Sequence, residues 1–290
     1  MSRLLRSRSS VDYSSEGANQ SVFTVESASK WKEDTTRYMK IRVVDVDKMF
    51  NFTDLPDEAK PIIIPEWKNG DWLRNVNIKA SHHDNNVKTL ISKVRKVFLS
   101  EEDSVTEVIV DGFMDSLLHL LGFDDYPCLL YPQYGYLANI GPDNRSVKAK
   151  PDFSILSEDN KIMLVIEDKI VTSATYSNRW KEDQVMGELF AAVHYVVTRS
   201  NKKITYPVIV YAVRVIGTKF TFYKAIATLD YIKESARLGL SIDNEMVVQR
   251  CPPVEDDPSG LTAYNICDQT DRIRILECMC SIRKSICSKL

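Results

Sequence analysis

The sequence predicts an α/β protein with a mixed central sheet flanked by helices. Three observations carry that expectation. Apolar residues recur at helical spacing over residues 84–98 and again after Ser104. Two β-rich runs, 153–156 and 162–166, flank Asp159-Asn160, a plausible two-residue hairpin turn. A further helix is expected between that hairpin and a second strand pair, so strands and helices alternate only in part.

In chain order, residues 1–30 are polar and Ser-rich and read as a disordered tail. Residues 31–83 hold Trp31, Trp67, Trp72, a candidate strand over 41–46 and the apolar run 61–65. This segment is expected to pack on the core. In the first predicted helix Val87, Leu90, Ile91, Val94 and Phe98 share a stripe, with Lys88, Lys93, Arg95 and Lys96 on other faces. The second is expected to start at Ser104, where Ser104 and Glu107 have capping-box spacing, and to stop at Gly122. Residues 128–131 read as a short strand, followed by a Gly/Pro/Asn-rich loop up to Arg145. After the hairpin come a helix over 180–197, strands over 206–215 and 219–224, and a C-terminal helix from Thr270. A core over 84–245 and a helical extension over 246–290 complete the expected organisation.

The bulk composition narrows the function. The chain has 290 residues, 44% hydrophobic and 27% charged, with a net charge of −2. That suffices for one sizeable core and argues against nonspecific coating of nucleic acid, though not against a local basic cleft. Six cysteines show no zinc-type spacing and read as reduced thiols in an intracellular protein, nuclear or cytoplasmic. Arg3, Arg6 and Arg8 make a mitochondrial presequence the alternative. No run of 18 apolar residues exists, so no membrane partner is expected. No GxGxxG or GxxxxGK loop is present.

The hairpin carries the chemistry. With Asp159-Asn160 as its turn, paired positions sum to 319, which sets Asp152 opposite Glu167 and Lys150 opposite Lys169. Facing Cβ atoms in an antiparallel pair lie roughly 5 Å apart, so two facing carboxylates repel unless a cation sits between them. Magnesium commonly takes one or two carboxylates together with substrate phosphates. Strand alternation places Ile162, Leu164 and Ile166 on a buried face and Glu167 and Lys169 on the other, with Asp168 near the strand end, where it can escape burial. The Lys169 ammonium can orient a water, stabilise phosphorane-like charge or, if its pKa is depressed, accept a proton.

Pro151-Asp152 followed by Glu167-Asp168-Lys169 resembles the PD-(D/E)XK signature of the restriction-endonuclease-like nucleases. The order of a capped helix, strands and a helix with Gln184 and Glu188 is similar to theirs, over roughly residues 84–225. More loosely, the layout resembles nuclease-like domains of the fungal and oomycete Crinkler or mobile-element type. The resemblance implies hydrolysis of phosphodiester bonds in nucleic acid, DNA before RNA, with Mg2+ or Mn2+. It implies Asp152, Glu167 and the backbone carbonyl of Asp168 as metal ligands, Lys169 beside the water, and Gln184 as the matching helix residue. Glu107 or Asp111 matches the first-helix acid that some branches use. Lys148 and Lys150, with Arg145, are candidates for phosphate contact. The rival expectation is a catalytically inactive nuclease-like module that binds nucleic acid or protein. A protein partner on the flanking segments and a homodimer are further expectations.

Overall fold

A computed structural model describes residues 27–51, 55–57, 59–100, 107–140, 145–174, 176–199, 204–237, 243–254 and 261–288. An eight-stranded mixed sheet lies between two layers of helices. Its strands are β1 (Ile41–Asp45), β2 (Cys128–Pro132), β5 (Phe153–Ser157), β6 (Ile162–Lys169), β7 (Val208–Ile216), β8 (Lys219–Ala227), β9 (Met246–Cys251) and β10 (Tyr264–Asn265). Seven of them run in the order β1-β9-β8-β7-β6-β5-β2, and β10 pairs with β8. β6 is parallel to β7 and β1 to β9, while the other neighbours are antiparallel. A separate antiparallel ribbon pairs β3 (Tyr136–Ile140) with β4 (Arg145–Ala149).

One face of the sheet is covered by α3 (Asn85–Ser100), α4 (Val108–Leu120) and α7 (Gln269–Cys287), together with the segment around Ile62 and Trp67. The other carries α1 (Glu33–Tyr38), α5 (Glu182–Arg199), α6 (Leu229–Ser235) and the β3–β4 ribbon. The short α2 (Gly70–Asn75) packs beside α3. The N-terminal segment therefore supplies an edge strand, and the residues after 245 supply two strands as well as the last helix. Of the expected tail, only residues 27–30 are described. Ala28–Lys30 form a 3-10 turn whose Ala28 is buried against α5, so order begins before residue 31.

The hairpin register follows the expected sum at Phe153–Ile166, Ser154–Val165 and Ile155–Leu164. It then slips at Leu156–Ile162 through a bulge. The slip turns Ile162 to the α5 side with Val165, while Met163, Leu164 and Ile166 face α4. β6 consequently has no solvent face and is buried from Ile162 to Asp168, in contrast to the half-exposed strand the alternation predicts. Its parallel partner β7 puts it in the sheet interior, and parallel pairing brings helices to both faces.

Two helix starts differ from expectation. Ser104 lies outside the described residues. Glu107 is the N-cap of α4, but its side chain makes no capping hydrogen bond. α5 begins at Glu182 because Arg179, Trp180 and Lys181 all have positive φ, 50°, 52° and 60°. Left-handed backbone costs roughly 1–2 kcal/mol per L-residue, so this turn must be held by its surroundings. Arg214 of β7 donates to the Trp180 carbonyl at 3.1 Å, and Arg250 bridges Glu182 at 2.8 Å to Asp45 at 2.7 Å.

Arg272 pins α7 to the N-terminal segment. It is fully buried, stacks over Trp67 at 4.1 Å, and donates to the Trp67 and Ile266 carbonyls. Burial pulls its pKa down to about 10 and outweighs the opposing pull of Cys267 and Asp268. Arg272→Ala leaves buried carbonyls unpaired and a cavity beside an indole. A loss of about 4 kcal/mol in urea unfolding is the expected result, and a loss below about 1 kcal/mol would refute this account of the anchor.

Candidate functional site

The site lies where β5 begins and β6 ends, between the first turns of α4 and α5. Asp152 precedes β5, and its Oδ2 accepts from the Asp168 backbone N–H at 2.8 Å. That bond ties the two arms of the hairpin together at the motif. Glu167 points to the α5 side and Asp168 to the α4 side, as alternation along β6 requires. The Lys169 ammonium sits at the convergence. Its Nζ lies 2.7 Å from Glu167 Oε1, 2.8 Å from Glu107 Oε1 and 3.4 Å from Asp152 Oδ2, and donates to the Asp168 carbonyl at 2.6 Å. Gln184, in the first turn of α5, donates to Glu167 Oε1 and, at 3.1 Å, to Glu188 Oε1.

Asp152, Glu167, Lys169, Gln184 and Glu107 are thus drawn into one cluster. Asp152 and Lys169 retain some exposure, 20% and 15% of their side chains, whereas Glu167 keeps 3%. The solvent-facing side of the cluster is therefore formed by Asp152, Lys169 and Glu107. Glu107 reads as a capping residue in the sequence, yet its carboxylate bridges to a strand 62 residues later. Asp111, one turn on, faces Asp168.

Two expectations are corrected, the exposure of Asp168 and the position of Lys150. Asp168 does not escape at the strand end. It is fully buried beneath α4, and its carbonyl accepts from Lys169 at 2.6 Å. Lys150 does not stand opposite Lys169, because the chain leaves β4 before entering β5 and Lys150 bonds Gln133 at 3.0 Å. Lys148 is exposed on the β3–β4 ribbon, opposite Leu137. Neither lysine belongs to the cluster. Sequence reasoning assigned no role to Glu188, which is 1% exposed and lies behind Glu167. Its signal was an acid four residues after Gln184, on the face that also carries Val185, Leu189 and Ala192.

Six carboxyl groups (Glu107, Asp111, Asp152, Glu167, Asp168 and Glu188) surround a single ammonium, and burial governs their charge. Desolvation raises Asp152, although Lys169 and the Asp168 N–H oppose it. Desolvation and the Asp152 carboxylate raise Glu167 to about 7, and desolvation with Asp152 and Asp111 raises Asp168 to about 10. Glu188 is pushed well above its ordinary value by burial and then by Glu167. Burial works to lower the Lys169 pKa, but Glu167 and Asp152 outweigh it and the net shift is upward. Lys169 therefore stands as a cation, which fits charge stabilisation and does not fit a general base.

Several buried oxygens meet no donor: Glu167 Oε2, both oxygens of Asp168, Glu188 Oε2 and Asp111 Oδ1. Asp168 and Asp111 can share a hydrogen bond only when one of them is protonated, and Glu188 and Glu167 likewise. Such orphans are costly, and a cation is one of the few partners that relieves them. The donor set is all hard oxygen, which suits Mg2+ or Mn2+. Among the described residues no three His, Cys, Asp or Glu side chains stand ready to hold a metal ion unaided. Asp152 and Glu167 are the carboxylates here that could hold such an ion.

Also among the described residues, no helix is long and apolar enough to cross a membrane. No known family model matches the chain, and no curated protein matches its sequence.

Proposed function

We propose that this chain is a divalent-metal-dependent nuclease of the restriction-endonuclease-like type, cutting DNA in preference to RNA. The observation that carries the reading is the convergence of Asp152, Glu167 and Lys169 at one partly open point, with Glu167 Oε2 left without a donor. The element order supports it: α4, the meander β2-β5-β6 interrupted by the ribbon, α5, then β7 parallel to β6.

Asp152 and Glu167 would hold the ion, which supplies Lewis acidity to a phosphate oxygen and lowers the pKa of a water. Gln184 donates to Glu167 Oε1 and so fixes the orientation of that carboxylate. The Lys169 ammonium holds the attacking water's oxygen and offsets charge that develops on the phosphorus oxygens. Glu167 must be ionised to take the ion, so the affinity for Mg2+ is expected to rise as pH increases toward about 7 and then level off.

Incubation of supercoiled plasmid and labelled single strands with Mg2+ or Mn2+ tests the proposal. Nicking that chelator abolishes, and that Lys169→Met lowers by about 100-fold or more, is the expected result. Binding without cleavage under every divalent ion would instead favour the inactive module.

A further inference from the structure

Helix α3 concentrates positive charge in a chain whose net charge is −2. Its sixteen residues include Lys88, Lys93, Arg95 and Lys96 and no acid. Arg95 is spent on the carbonyls of Arg74 and Val76. The lysines lie on one stripe with Asn85, Thr89 and Ser92, and this stripe lines an open depression of about 410 Å3. Lys93 reaches across to Ser116 of α4 at 2.6 Å, and no described carboxylate pairs with Lys88 or Lys96. Like charges three apart, as at Lys93 and Lys96, weaken a helix, and Lys88 stands in the half of α3 where the helix dipole disfavours a cation. Helix stability therefore does not account for the stripe, whereas an anionic ligand would.

The same helix that Lys93 touches leads to the candidate site. Glu107, at the start of α4, is 2.8 Å from the Lys169 ammonium, and Ser116 lies nine residues on. At 1.5 Å per residue that is about 14 Å. A nucleic-acid strand advances about 3.4 Å per phosphate, so about four nucleotides bridge the interval. We propose that the Lys88–Lys93–Lys96 stripe of α3 is a track for the phosphate backbone of the nucleic acid, gripping it about four nucleotides from the scissile bond. This rests on the nuclease reading for its orientation, but its test does not need cleavage.

The test measures binding of the full chain to 20-residue DNA and RNA strands and to duplex DNA, in chelator, across a salt series. Lys88→Glu/Lys96→Glu is compared with Lys32→Glu/Lys233→Glu, an equal charge change at exposed positions on the opposite face of the sheet. Neutralising two phosphate contacts predicts a loss of about 2 in the slope of log affinity against log salt, with at least about tenfold weaker binding at low salt, for the α3 variant alone. The Lys88→Ala/Lys96→Ala variant should show the same loss of slope. Equal weakening by both reversals, or an unchanged slope, overturns the proposal. So does wild-type binding to phosphatidylserine vesicles with none to any nucleic acid. Loss of binding in the α3 variant from a chain that never cuts would keep the track and sink the nuclease reading.

Discussion

Glu167→Gln is expected to stabilise the protein in chelator at pH 8, raising its thermal midpoint by about 5 °C, while abolishing cleavage. The reason is that the ionised Glu167 is an unfavourable guest in its own fold. Its folded pKa of about 7 exceeds the ordinary 4.5, so between these values the folded chain holds more protons than the unfolded one. The stability that the neutral carboxyl contributes is fully present below about 4.5 and is gone above about 7. The shift corresponds to about 3 kcal/mol at pH 8. An amide in the same shape keeps the oxygen that accepts from Gln184 and turns its NH2 toward Glu188, whose Oε2 meets no donor. About 2 kcal/mol of the cost should be recovered, which in a chain of this size is a few degrees. The advantage should vanish near pH 4.5, where wild type is itself protonated. Thermal unfolding across that pH range decides the matter: a difference that does not grow with pH would mean that Glu167 is not desolvated as described.

The same burial explains what could and could not be read from the chain. The pairs from Phe153–Ile166 to Ile155–Leu164 have the register read from the sequence, but the two-residue turn assumed for it is not the one formed: the Ser157 N–H donates to the Lys161 carbonyl at 2.9 Å, one position off the expected sum, and the bulge beside Leu156 restores it. The bulge beside Leu156 was not legible, since one extra residue in a strand leaves no mark in composition. Residues 136–140 alternate buried and exposed, yet the Gly, Pro and Asn around them read as loop and hid the β3–β4 ribbon. β9 escaped notice because its partner β1 lies some 200 residues earlier. Glu107 shows the limit most clearly. Its local spacing from Ser104 favoured a cap, while its partner Lys169 is supplied by the tertiary fold. Lys169 could be placed because strand alternation sets it on the same side as Glu167, whereas Gln184 was named only through the family resemblance. The sealing of Asp168 could not, because it depends on how α4 lies over the end of β6.

Lys169→Met should have the opposite effect on stability, and its recovery by metal is the sharper test of the site. Removing the ammonium leaves Glu107, Asp152 and Glu167 facing one another with no cation among them. Breaking a buried pair by deleting one partner typically costs 3–5 kcal/mol, and the partial exposure of Asp152 and Lys169 places the loss here at about 3 kcal/mol. Without the lysine, the Glu167 and Asp152 pKa values rise further above their unfolded values. The loss should therefore be small near pH 4 and grow as pH rises through neutrality. Mg2+ provides the discriminating arm. If the carboxylates share a cation site, the ion replaces the missing charge, and at 100 times its dissociation constant it contributes about 2.7 kcal/mol. The thermal midpoint of the variant should then climb with Mg2+ more steeply than that of wild type, in which the ammonium competes. Cleavage should stay at least about 100-fold below wild type, since no ammonium remains to hold the water or offset the charge developing on the phosphorus oxygens. A variant that Mg2+ and Mn2+ fail to stabilise would show that these acids form a buried ion-pair network and nothing more.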